Sequence, residues 1–309
     1  MELSFIRWLR ERIAAHPLMP LGPGDDAALL QFSPGCQCVV TTDMLMDGVD
    51  FTLATTSTRL VGRKALAVNL SDLAAMGAKP VAAVVALSLP RRGGESLAHE
   101  LYEGILPLAA EFNTALAGGD TNSWDGPLVL SVTAIGEVLA GRAWQRSGAR
   151  PGDQFLVTGD FGGSILRKHL EFQPRLQAAR WLAENADVHA AIDVSDGLSL
   201  DLSRLATESN CGAALELTHV PVSPDARRLA QERKMGKTPL EHALSDGEDF
   251  ELILAIPPAE AERLLKLQPL DVPLTRIGRF VDRPGLWSTN TDGSPEPLTP
   301  QGYEHRLEG

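Results

Sequence analysis

Residues 57–90 read STRLVGRKALAVNLSDLAAMGAKPVAAVVALSLP. The first part has helical spacing and helix-forming composition, and Gly77 falls where a helix C-cap is expected. From Pro80 the run is short and apolar, the pattern of a buried strand. Asp72 lies inside the helix among alanines and leucines and shares a face with Asn69 at i,i+3. A carboxylate in an apolar helix needs a partner. A helix followed by a buried strand sets the class as α/β or α+β.

The flanking segments extend the same pattern. MELSFIRWLRERIAAHP places Phe5, Leu9 and Ile13 at helical spacing, and CQCVVTTDML (36–45) reads as a buried strand. SLAHELYEGILPLAAEF is a second amphipathic helix, TALAGGDT a strand ending in a tight turn, and PLVLSVTAIGEV another strand. A domain boundary is expected near Gly141, giving domains 1–140 and 141–309. The second domain begins with a strand and a Gly-rich loop before a helix at SILRKHL. Strand, loop and helix follow in AAIDVSDGLSLDLSRLATESN, a strand in CGAALEL, and a loop and strand in SDGEDFELILAIP.

The composition excludes several classes. At 309 residues, 44% hydrophobic and 22% charged, the chain is a globular protein with room for two cores. A net charge of −12 without a basic run argues against nucleic acid and anionic membrane as partners. No apolar run reaches membrane-spanning length, the N-terminus lacks a signal-peptide core, and Cys36, Cys38 and Cys211 form no CxxC pair. A cytoplasmic protein is expected.

Two motif matches are misleading. GPGDDA fits GxGxxA, but two aspartates would repel a pyrophosphate. The DFG at 160–162 lacks the other kinase signatures, and there is no GxxxxGK[ST] loop.

Aspartates at strand ends or inside apolar segments form a more telling set: Asp26, Asp43, Asp72, Asp120, Asp193 and Asp196. Any one alone could cap a helix or a turn. Converging carboxylates, however, repel by about 4 kcal/mol per pair at about 4 Å with an effective dielectric near 20. They call for cations, and an all-oxygen set selects Mg²⁺ or Mn²⁺ over Zn²⁺. Mg²⁺ keeps waters and is completed by substrate phosphates, so an acidic protein of this kind can bind phosphates without many lysines. Of the adjacent Asp25 and Asp26, only one is expected to serve, since neighbours on an extended segment point oppositely.

GPGDDAALL, VVTTDMLMDGVDF, KALAVNLSDLAAMGAKP, ALAGGDT, RSGARPGDQFLVTG, AIDVSDGLSLDL and LSDGEDFELILAI occur in this order, with GYEH at 302–305. As a set they resemble the thiamine-monophosphate kinase family, of the superfamily that includes aminoimidazole ribonucleotide synthetase and selenophosphate synthetase. The resemblance implies transfer of the γ-phosphoryl group of ATP to thiamine phosphate, giving thiamine diphosphate. It implies an N-terminal ATP- and Mg²⁺-binding domain that forms a β-barrel across a homodimer, with the C-terminal domain covering the site. It assigns Asp26, Thr41, Thr42, Asp43, Asp72, Asp120, Asp193 and Asp196 to several Mg²⁺ ions. Tyr102, Gly119, Asp120, Arg146 and Ser195 match ATP-contacting positions, and Asp50, Glu248 and Tyr303 match substrate-contacting ones. No catalytic general base is expected, because the acceptor is an ionised phosphate oxygen and the work is in-line positioning and charge neutralisation.

The family usually carries His where this chain has Asp50, and the segment after VTGDFGGS is shorter than usual. Both touch the acceptor side. The alternatives are another ATP-dependent enzyme of the superfamily with a different acceptor, and a non-catalytic nucleotide-binding relative. A selenophosphate synthetase would want a reactive cysteine near the N-terminus, and a non-catalytic relative could lose several of the aspartates that are all present here.

Overall fold

The computed structural model of the chain describes residues 2–232, 236–289 and 294–304. It divides into two compact units, residues 1–73 with 78–142 and residues 74–77 with 143–309.

The first unit comprises α1 (Glu2–Arg10), β1 (Cys36–Met46), α2 (Thr58–Ala75), β2 (Lys79–Pro90), α3 (Gly94–Glu111), β3 (Ala115–Trp124) and β4 (Val129–Leu139). Its open four-stranded sheet has the order β1-β4-β2-β3, with β3 parallel to β2 and the other pairs antiparallel. α2 is buried on nearly every side although polar residues are spread along it, and even Lys64 and Asn69 are fully enclosed. It ends as the sequence predicts: Gly77 adopts φ +64°, and the Ala78 amide donates back to Leu73 O at 2.9 Å. Two glycines let α2 and α3 cross closely. A Cβ on Gly62 would stand 2.0 Å from Leu101 O, and one on Gly104 1.8 Å from Arg59 O.

Three local expectations fail in this unit. The helical spacing at the N-terminus stops at Arg10, and Ile13 packs instead with Leu18 and Phe32 against Met19, Val81 and Ala115. Residues 21–30 form a loop. One bridge, Leu21 to Leu29, closes it, and the exposed Asp25 and Asp26 lie in between. The tight turn expected at GGDT is absent, because β3 continues through Gly118–Asp120 alongside β2. The glycines there serve a bulge and a close backbone approach, since a Cβ on Gly119 would meet Val85 O at 2.0 Å. Finally, β1 is an edge strand with one open face, so Cys38 is exposed rather than buried.

The second unit contains β5 (Gln154–Thr158), α4 (Lys168–Glu171), α5 (Leu176–Asn185), β6 (Ala190–Asp193), α6 (Leu198–Glu208), β7 (Gly212–Leu215) and α7 (Pro224–Glu232). After these come α8 (Pro239–Ser245), β8 (Leu252–Ile256), α9 (Pro258–Leu267), β9 (Leu274–Val281), β10 (Gly285–Thr289) and β11 (Pro295–Pro297). Its strands form one sheet of order β11-β10-β7-β9-β5-β8-β6. β8 is buried at every residue, and Phe155, Phe161, Leu202, Ile253 and Phe280 lie in the core beside the sheet. The helix expected at 164–170 is instead a 3₁₀ turn (Ser164–Leu166) and the single turn of α4, separated by the extended Arg167.

Candidate functional site

In the first unit the site grows from β1. Successive side chains of a strand alternate between faces, and Val39 and Leu45 are buried, so Thr41 and Asp43 point inward with them. Thr42 points the other way, where its hydroxyl meets Thr133 Oγ1 at 3.0 Å. Inward, the Thr41 hydroxyl donates to Asp72 of α2, joining the strand to the buried helix. Asp43 Oδ2 is buried and has no hydrogen-bond partner among the described residues. Burial first, then the charges of Asp72 and Asp50, push the Asp43 carboxyl up to about 7.

Asp50 caps its own turn. Its Oδ2 accepts the Met46 amide at 2.7 Å, and its carbonyl accepts from the fully buried Lys64 ammonium at 3.0 Å. Asp26 lies in the exposed loop, its amide bonded to Asp25 Oδ1 at 3.1 Å. Gly119 and Asp120 are exposed on β3. Tyr102 is buried on α3, edge-on to Phe5, and burial pushes its phenol pKa up. The structure thus brings Thr41, Asp43, Asp72 and Asp50 together. It does not bring the Thr42 side chain to that group.

In the second unit three loops converge. The Glu248 amide donates to Ser195 O at 2.7 Å, and the Tyr303 amide donates to Asp196 O at 2.9 Å. Ser195, Asp196, Glu248 and Tyr303 are therefore neighbours, just beyond the buried Asp193 at the end of β6. The Asp196 carboxylate is ion-paired with Arg204. Asp201 accepts the Asp196 and Gly197 amides at 2.9 and 3.1 Å and covers the start of α6. Burial above all pushes Asp201 up to about 6. Arg146 is exposed, and its carbonyl accepts from Ser209 Oγ at 2.8 Å.

Sequence reasoning missed the groups that hold these loops. Gly162 and Gly163 of the dismissed DFGG stretch donate their amides to Asp249 Oδ1 and Asp246 Oδ2, each at 2.9 Å. Glu251 receives both Arg175 Nε and Nη2 at 2.6 Å, Lys168 Nζ at 2.9 Å and the Thr158 hydroxyl at 2.7 Å. Burial would raise the Glu251 pKa, but Arg175 and Lys168 outweigh it and hold the carboxyl below its usual range. Asp249 has no such compensation at its orphaned Oδ2, and burial pushes it up to about 8. The legible signal was one buried-looking lysine in an apolar run, Lys64; the second network joins residues far apart in sequence.

The donor set fits a hard divalent cation. Asp43, Asp72 and Asp50 bring carboxylate oxygens together; burial first, then the charges of Asp72 and Asp50, raise the Asp43 pKa, and among the described residues Asp43 Oδ2 lacks a donor. Among the described residues no three His, Cys, Asp or Glu side chains form a metal cage unaided. Waters and substrate phosphates complete the shell of Mg²⁺ in sites of this type.

Residues 24–138 match the family described as AIR synthase related protein, N-terminal domain, and residues 129–287 match its C-terminal domain. The chain is 46% identical to the thiamine-monophosphate kinase of Rhodopirellula baltica, covering 99% of this chain and 97% of that protein. The crystal structure of thiamine-monophosphate kinase from Stenotrophomonas maltophilia superposes with a TM-score of 0.82 at 38% identity, covering 95% of this chain and 97% of that one. AaThiL complexed with AMPPCP and TMP superposes with a TM-score of 0.78 at 27% identity, covering 99% and 96% of the two chains.

Proposed function

The chain belongs to the thiamine-monophosphate kinase family, and from that premise we propose that it transfers the γ-phosphoryl group of ATP in line to thiamine phosphate, giving thiamine diphosphate and ADP. The relative seen with a non-hydrolysable ATP analogue and TMP supports both substrates. The geometric observation that carries the metal-dependent part is the half-buried Asp43, whose buried Oδ2 is unpartnered among the described residues and which faces the carboxylates of Asp72 and Asp50.

Asp26, Thr41, Asp43, Asp72 and Asp120 of the first unit and Asp193 and Asp196 of the second are the residues that would hold Mg²⁺, while the Thr42 side chain, also matched to the metal by the resemblance, points to Thr133 instead. When bound, Mg²⁺ supplies neutralisation of the phosphate charges in the transition state. Thr41 orients Asp72 by its hydrogen bond. For ATP the candidates are Tyr102, Gly119, Asp120, Arg146 and Ser195, with the exposed Arg146 offering a fixed, bidentate-capable charge for a phosphate. Asp50, Glu248 and Tyr303 are the candidates for the acceptor. No side chain need take a proton, because the attacking phosphate oxygen is already ionised.

The reading includes a homodimer built through the first unit, its sheet continuing into a second copy as a barrel. Support comes from the edge strand β1, whose outward Val40 and Met44 are 62% and 59% exposed. The three cysteines are all free thiols, in keeping with the cytoplasm.

Turnover with ATP, Mg²⁺ and a panel of acceptors, including thiamine phosphate and free thiamine, tests the reading. Thiamine diphosphate should form from thiamine phosphate, stop with chelator and return with Mg²⁺ or Mn²⁺. Phosphorylation of another acceptor alone would replace thiamine phosphate in the proposal, and full turnover in metal-free buffer would overturn the metal-dependent mechanism.

A further inference from the structure

The loop between α8 and β8 has an unusual backbone. Glu248 and Phe250 are non-glycine residues at φ +53° and +51°, on either side of Asp249. Left-handed conformations at such residues persist only where surrounding structure over-determines them. Here the restraints are specific. Ser164 Oγ donates to Gly247 O at 2.6 Å, Gly162 and Gly163 hold Asp249 and Asp246, and Phe172 stacks on Phe250 with centroids 3.9 Å apart. At the far end the Val194 amide bonds Glu251 O at 2.8 Å, and the Phe250 amide bonds Val194 O at 2.8 Å.

Glu251 anchors this arrangement. It is 1% exposed, and its carboxylate is saturated by the Arg175 fork, Lys168 and Thr158. Arg175, Lys168 and Phe172 all lie on the segment that follows GDFGGS. In this chain that segment is the buttress of the acidic loop.

We propose that Arg175 and Glu251 are positioning residues for the acceptor side of the site, holding loop 246–251 so that Glu248 keeps its left-handed conformation against Ser195. The consequence for the acceptor rests on the assignment of Glu248 under Proposed function; the consequence for the loop does not. A bidentate buried pair fixes direction as well as distance, which a lysine in place of the arginine supplies only in part.

The test uses full-length Arg175→Lys, Arg175→Met and the double variant Arg175→Met/Glu251→Gln, which leaves no unpaired buried carboxylate at position 251. Hydrogen exchange at the Glu248 and Phe250 amides should quicken about tenfold in Arg175→Met, with β5 and β8 still protected. The KM for thiamine phosphate should rise about five- to tenfold while that for ATP stays within about twofold. Arg175→Lys and the double variant should recover part of both effects. Unchanged exchange in the loop overturns the proposal whether or not the protein turns over thiamine phosphate. So does a lowered melting temperature with both KM values unchanged, since that is a purely structural pair. Absence of wild-type turnover with thiamine phosphate would instead sink the acceptor assignment, and the exchange result would still decide the role of the pair.

Discussion

Asp43 concentrates the site's charge problem in one side chain. Its inward direction follows from strand alternation, so the sequence made its face legible; its orphaned oxygen comes from packing that no local pattern encodes. Asp43→Asn removes the charge of a proposed metal ligand and no packing atoms. Its kcat should fall at least about a hundredfold with the fold intact by circular dichroism, and near-wild-type kcat would remove Asp43 from the site. Asp249 permits a second prediction. Its carboxyl is pushed up to about 8 by burial, against an ordinary value of 3.8. Between those values the unfolded chain has released a proton that the folded chain keeps, so this group's contribution to stability falls as pH rises from about 4 to about 8. Asp249→Asn lacks that slope. The melting temperature of the variant relative to wild type should therefore climb from pH 5 to pH 8, and a pH-independent difference would show that the carboxyl titrates normally. The Arg175–Glu251 pair was illegible for a different reason: its members are 76 residues apart, and nothing in either neighbourhood marks the other.

At the scale of elements, helix periods and the Gly77 cap were legible because each is a local rule. β3 and the 164–170 segment were not. GGD carries the composition of a turn, and only the parallel neighbour β2 makes those glycines part of a strand. SILRKHL has helical composition, but its residues are spent on holding another loop. The crossing of α2 and α3 was equally hidden, since a helix glycine looks like a weakness until its partner backbone is seen. Gly104→Ala would drive a methyl into Arg59 O. It should cost about 1–3 kcal/mol in urea denaturation, as overpacking does. Because α2 also carries Asp72, kcat should fall as well, and a variant with wild-type stability would show that the helices can separate cheaply.

For the whole molecule, two mixed units and an acidic, aliphatic composition were legible, while a subunit interface leaves no mark in composition. The proposed homodimer predicts a light-scattering mass near twice the chain's 33.1 kDa at micromolar concentration. Met44→Lys, a charge on the outward face of β1, should shift that mass toward the single chain, and an unshifted dimer would place the interface elsewhere. The same edge strand bears on how the protein is made. β1 is eleven residues long, and until a partner covers it, it offers bare amides and carbonyls to any extended chain. In the proposed dimer a freshly synthesised copy would therefore face a race between correct docking and amyloid-like or off-register association. Slow dilution during refolding should favour the correctly docked outcome, and crowding with unfolded copies of itself should favour the aggregate.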